Sequence, residues 1–192
     1  MELWGLFKSI ARDNGFLTWT VPCSRWLLQQ RDPWAHGLAM PPPSWQPFEE
    51  TPHTADLALI ARGRSLRELI LNACRGTIEL TIDTAGLAPE EWIPIAATGA
   101  DPERLLLGMV KQILYEWETQ GGLPVAVAID AAPDDAWLES PASPAEARGR
   151  LGLAHPADLD DRVRAVPKAA TYHNLAVRRV ADHLEVTLVL DL

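Results

Sequence analysis

The chain has 192 residues, 47% of them hydrophobic and 22% charged, with a formal net charge of −9. That is enough apolar matter for one cored domain, with no apolar run of the ~18–20 residues needed to span a bilayer. An acidic balance argues against direct nucleic-acid binding, which rests on neutralising phosphates, and favours a protein partner or a cation ligand. The two cysteines, Cys23 and Cys74, are far apart and form neither a disulfide framework nor a zinc motif, so a cytoplasmic location is expected.

In chain order, residues 1–46 stand apart. They hold five of the eight tryptophans, show no helical or strand period, and run into Met40-Pro41-Pro42-Pro43. We read them as an N-terminal extension, disordered or created by a mis-assigned start at Met1 with Met40 as the true one; a targeting segment is a third reading. Residues 47–192 are then one folded domain carrying 13 Lys+Arg and 23 Asp+Glu.

Within it, residues 55–62 alternate as a half-buried strand, ended by Gly63. Ser65 and Glu68 form a capping box for a helix whose apolar stripe is Leu66, Leu69, Ile70, Ala73, Cys74 and Ile78. Cys74 on that stripe reads as a small core hydrophobe. Residues 92–97 predict an edge strand, because Pro94 interrupts it. Asp101 and Pro102 open a second helix with the stripe Leu105, Leu106, Met109, Val110, Ile113, Leu114 and Trp117, and Gly121-Gly122 stops it.

Leu123–Ile129 reads as a strand with Val125, Val127 and Ile129 on one face. Residues 131–147 read as a loop, 149–154 as a short strand, and 155–164 as a solvated acidic stretch. Two last strands are expected, 169–180 and 184–190, joined by a turn near Asp182. Tyr172 is expected at a core margin. Strands and two main helices mix without a βαβ repeat, which predicts an α+β domain with a mixed or antiparallel sheet.

Three carboxylates stand at strand ends, where they do little for a core. Asp56 begins the first strand, Asp191 ends the last, and Leu192 adds its α-carboxylate. Adjacent acids repel and call for compensation, which a hard divalent cation with a taste for oxygen supplies. This works only if strand 55–62 pairs near strand 184–191. The plainer alternatives are a turn carboxylate at Asp56, a frayed end at Asp191, a surface histidine at His53 and a solvated lysine at Lys168. No Walker loop, dinucleotide fingerprint, nucleophile elbow or HExxH motif is present, so no self-sufficient catalytic machine is visible.

His53-Thr54-Ala55-Asp56 with Gly63 and the helix after Ser65, then Gly99-Ala100-Asp101 with Leu105-Leu106, then Lys168 to His173 with Asp191-Leu192, occur in an order that resembles the archease family over residues 47–192. The resemblance implies a divalent metal held by Asp56, Asp191 and Leu192, with calcium as the first expectation and manganese or magnesium as alternatives. His53, Lys168 and His173 are implied as neighbours of that metal or contacts to a partner.

It further implies a non-enzymatic accessory protein that activates an RtcB-type RNA ligase in tRNA splicing or RNA repair, promoting its guanylylation and repeated turnover and meeting RNA only through the ligase. Pro52, Val166-Pro167 and Leu153-Ala154 depart from the family pattern. A stand-alone metal-dependent phosphoester hydrolase and a metal-independent, chaperone-like binding module are the competing functions.

Overall fold

The computed structural model of the chain describes residues 44–51, 56–172 and 175–192. The extension read at 1–46 lies outside the described residues up to residue 43, as do His53 and His173. Eight strands and three α-helices follow in the order β1 (Phe48–Thr51), β2 (Leu57–Gly63), α1 (Leu66–Thr81), β3 (Glu91–Gly99), α2 (Pro102–Gln120), β4 (Leu123–Ala131), α3 (Asp135–Glu139), β5 (Ala145–Ala154), β6 (Ala169–Thr171), β7 (Arg178–Val180) and β8 (His183–Asp191). The expected α+β class with two main helices is what the chain adopts. The strands divide between two sheets rather than one: β1-β2-β8-β6 with β7 also on β8, and β3-β5-β4. Every pairing of named strands is antiparallel.

Both long helices start as their sequences dictate. The Ser65 hydroxyl accepts the Glu68 N–H at 3.2 Å, and the Glu68 carboxylate takes the Arg64 N–H at 2.7 Å. Asp101 caps α2 by accepting the Arg104 N–H at 2.7 Å, with Pro102 in the first turn. Gly121 closes α2 in the left-handed region at φ 70°. Each helix follows a strand that ends in glycine, Gly63 before α1 and Gly99 before α2. A Cβ there would collide with the helix backbone at Leu69 and Leu105 respectively, so the close strand-to-helix approach needs glycine at both joints.

The predicted helix stripes form the core. Leu66, Leu69, Ile70, Ala73, Cys74 and Ile78 of α1 are buried, as are Leu105, Leu106, Met109, Val110 and Ile113 of α2. They pack with Leu59 of β2, Leu151 of β5 and Val186, Leu188 and Leu190 of β8. The Cys74 thiol is fully enclosed, and burial pushes it up to about 12, so it stays a neutral core group.

Several expectations need correction. The stretch read as a loop at 131–147 contains α3, capped by the Asp134 carboxylate on the Trp137 N–H, and the first residues of β5. β5 is a ten-residue central strand, not a short one, and pairs with β3 and β4 on its two sides. Val125 is half-buried where Val127 and Ile129 are buried, beside a shift of the ladder between Pro124 and Ala126.

The single strand expected at 169–180 is two, β6 and β7. Both lie on β8, separated by a longer chain path than β8 itself provides between their partners. Tyr172 in that excursion is 48% exposed rather than set against the core. Burial and the neighbouring Asp101 and Glu103 nevertheless hold its phenol above the usual range.

Asp158, Asp160 and Asp161 do face solvent, but their segment is tied down. Arg162 bonds the Asp158 carboxylate at 3.0 Å and the Ala85 carbonyl at 2.9 Å, and Val163 bridges to Ile82. No helix among the described residues is long and apolar enough to cross a membrane.

Candidate metal centre

The ladder between β2 and β8 runs from Gly63↔Leu184 to Leu57↔Leu190. Asp56 is the next residue back from Leu57, and Asp191 is the next residue on from Leu190. The last registered pair, Leu57↔Leu190, thus brings the two aspartates to the same end of the ladder, one on each strand. Their sequence separation is large, and it is the sheet that brings them to one end.

β8 is an inner strand, flanked by β2 on one side and by β6 and β7 on the other. This answers why its last residues have a fixed position when a chain end would otherwise fray. On the β6 side, Ala169 pairs with Asp191, and the Lys168 N–H donates to the Asp191 carbonyl at 2.8 Å. The Lys168 side chain reaches further along and donates from Nζ to the Leu192 main-chain oxygen at 2.8 Å. Asp56 and Asp191 are half-buried, whereas Lys168 and Leu192 are exposed, so the cluster lies at the sheet margin, open to solvent on one side.

Four of the six residues singled out in the sequence thus lie at one sheet end: Asp56, Asp191, Leu192 and Lys168, the last bonded to Asp191 and Leu192. His53 and His173 lie outside the described residues. Among the described residues, no group of three or more His, Cys, Asp or Glu side chains gathers as a metal cluster. The donor set on offer is two side-chain carboxylates and a main-chain oxygen. It is an all-oxygen set with a net negative charge, which fits calcium, magnesium or manganese and fits zinc or copper poorly.

A second charged cluster occupies the opposite end of the same ladder and was not singled out in the sequence. Arg62, whose side chain is only 13% exposed, donates to Glu49 of β1 at 2.6 Å and to Glu185 of β8 at 2.8 Å. Burial works against its charge, but the two carboxylates hold the guanidinium above its usual value. The alternation of Arg62 and Glu185 in their strands hinted that both face one side; nothing in the linear order hinted at their pairing.

The chain's comparisons with known proteins agree with this architecture. Residues 48–192 match the model of the Archease protein family. A protein archease of Saccharolobus islandicus is 30% identical over 145 residues, spanning 76% of this chain and 98% of the relative. The solution structure of Methanobacterium thermoautotrophicum Protein 1598 superposes with a TM-score of 0.62 at 22% identity, covering 76% of this chain and 99% of that one, a likeness of fold. A Thermotoga maritima crystal structure described as an archease, possible chaperone, aligns with a TM-score of 0.49 at 22% identity, covering 81% of this chain and all of that one.

Proposed function

Because this chain belongs to the archease family, we propose that it is a metal-binding accessory protein that activates an RtcB-type RNA ligase, promoting guanylylation and repeated turnover of the ligase in tRNA splicing or RNA repair. The observation that carries this reading is the placement of Asp56 and Asp191 on two paired strands at one ladder end, with the Leu192 main-chain oxygen following Asp191. Those three groups would hold the cation, with calcium, manganese or magnesium suited to their oxygens. A bound divalent ion supplies concentrated positive charge at the sheet margin.

The chain's own residues do the rest. The inner position of β8 fixes Asp191, the Lys168 N–H bond ties β6 to it, and the half-buried placement of both aspartates limits competing water. The acidic surface of the domain favours docking to a basic face of the ligase. The domain in this reading contributes no nucleophile and no general base, and RNA meets it only through the ligase.

The test is a guanylylation assay of an RtcB-type ligase with GTP and manganese, run with wild-type protein and with Asp56→Ala. The expected outcome is stimulation by the wild type and loss of most of it with the variant. Equal stimulation by both rejects the metal-centred mechanism. Phosphoester hydrolysis in the absence of any ligase supports the competing hydrolase instead.

A further inference from the structure

We infer that Lys168 is a built-in counter-ion of the candidate metal centre: its ammonium is bonded to a Leu192 oxygen offered to the ion and competes with a divalent cation there. The inference rests on the metal-binding reading above and adds to it a residue that works against the cation. Its basis is one bond and its setting. Lys168 Nζ donates to the Leu192 main-chain oxygen at 2.8 Å, and this oxygen is one of the three groups offered to a metal. An ammonium donor and a divalent cation both need the oxygen's lone pairs, and their like charges repel across so short a distance. Each therefore weakens the other's hold on that oxygen.

The surroundings allow the ammonium to be replaced at little cost. The backbone of Lys168 is held separately, by its N–H bond to the Asp191 carbonyl and by the β6 pairing that follows. The side chain is exposed, so its head can swing into water while the ladder stays intact. Residue choice points the same way. Of 17 Lys and Arg residues in the chain, only Lys8, Lys111 and Lys168 are lysines. An arginine fork would grip oxygens in a fixed planar geometry, whereas an ammonium is a compact, strongly hydrated point charge on a flexible stem. Of the two, it is the better temporary stand-in for a hard cation. Cation loading then frees a positive side chain at the sheet margin and couples metal occupancy to an ammonium available for an anionic group on a partner.

Calorimetric titration of the full chain with calcium chloride tests this, comparing wild type, Lys168→Met and Lys168→Arg. If the lysine competes, Lys168→Met binds calcium about two- to fivefold more tightly, the span expected for removal of an exposed ion pair. If the lysine merely ties down the end of β8, the sign reverses, because a frayed Leu192 is a poorer ligand. Equal or weaker binding by Lys168→Met therefore overturns the inference and leaves the metal reading standing. Absence of calcium binding in all three proteins overturns both.

A second measurement uses the unaltered protein. Labelling of amines by a succinimidyl ester, read by mass spectrometry, is expected to rise at Lys168 on adding calcium, relative to the exposed Lys111. No change in that ratio speaks against release of the ammonium.

Discussion

The two ends of the β2–β8 ladder pose the same electrostatic problem and solve it differently. At the Gly63 end, Glu49 and Glu185 converge on a guanidinium that is largely buried and bonded to both. The guanidinium there is largely enclosed and bonded to both carboxylates, so this end is architecture. At the Leu57 end, Asp56 and Asp191 flank the last ladder pair, and the ammonium of Lys168 is bonded to Leu192. Here the only cation bonded among the described residues is an exposed one, at a margin open to solvent. The difference teaches that a cross-strand carboxylate pair becomes a candidate ligand site through what is near it: a rigid internal cation closes the matter, and a mobile one at the margin leaves it open.

The strongest way to break this contrast is to remove Arg62. Arg62→Met leaves two glutamates facing each other beside a buried apolar stem. A loss of about 2–3 kcal/mol is expected in urea unfolding, below the figure for a fully buried pair because both partners are partly exposed. A loss under ~0.5 kcal/mol erases the distinction between the two ends.

Next in size is the other end. Asp191→Asn in the absence of metal is expected to be near neutral or slightly stabilising, since it relieves repulsion with Asp56. Calcium at a hundredfold excess over its dissociation constant stabilises the wild type by about 2.7 kcal/mol, and the variant loses most of that gain. Thermal melts with and without calcium measure both halves. A melting temperature of the wild type that ignores calcium sinks the ligand reading of this end.

A smaller effect concerns the turn that joins β7 to β8, next to the Gly63 end. Ala181, between β7 and β8, has φ 51°, a left-handed conformation that suits glycine. Ala181→Gly is expected to stabilise the hairpin by about 0.5 kcal/mol, strain relief being partly offset by the greater freedom of the unfolded chain. Chemical denaturation reads the change, and a destabilised variant contradicts it.

The smallest effect is an acid titration. The bond from Arg162 holds the Asp158 carboxyl below its usual 3.8. A depressed folded value means that the contribution is present above 3.8 and disappears as pH falls through the lower folded value. The melting-temperature gap between wild type and Asp158→Asn is expected to be constant from pH 7 to 5 and to close in more acid solution. A gap that widens instead shows that the sign has been assigned wrongly.

What could be read without the fold was local. The capping residues Ser65 and Asp101, the apolar stripes of α1 and α2, and the glycines at 63, 99 and 121 act over a few residues, and the chain obeys them. The first half of β5 escaped because its inward residues at 145, 147 and 149 are alanine or glycine, which leave little hydrophobic period between Glu146, Arg148 and Arg150. The break between β6 and β7 escaped because no turn signal in the sequence marks it, and only pairing to β8 tells the two strands apart. Arg62 with its two glutamates escaped because ion pairs between strands leave no mark in linear spacing.

Sequence alone determined the class of fold, the helix limits and the short roster of acids placed where a core gains nothing from them. The tertiary structure decided which of those acids meet. It did so by making β8 an inner strand, in register with β2 on one side and β6 on the other. Register is a long-range property: a shift by one residue turns every side chain to the opposite face, so the buried face of β8 has to be satisfied before Asp56 and Asp191 can stand together.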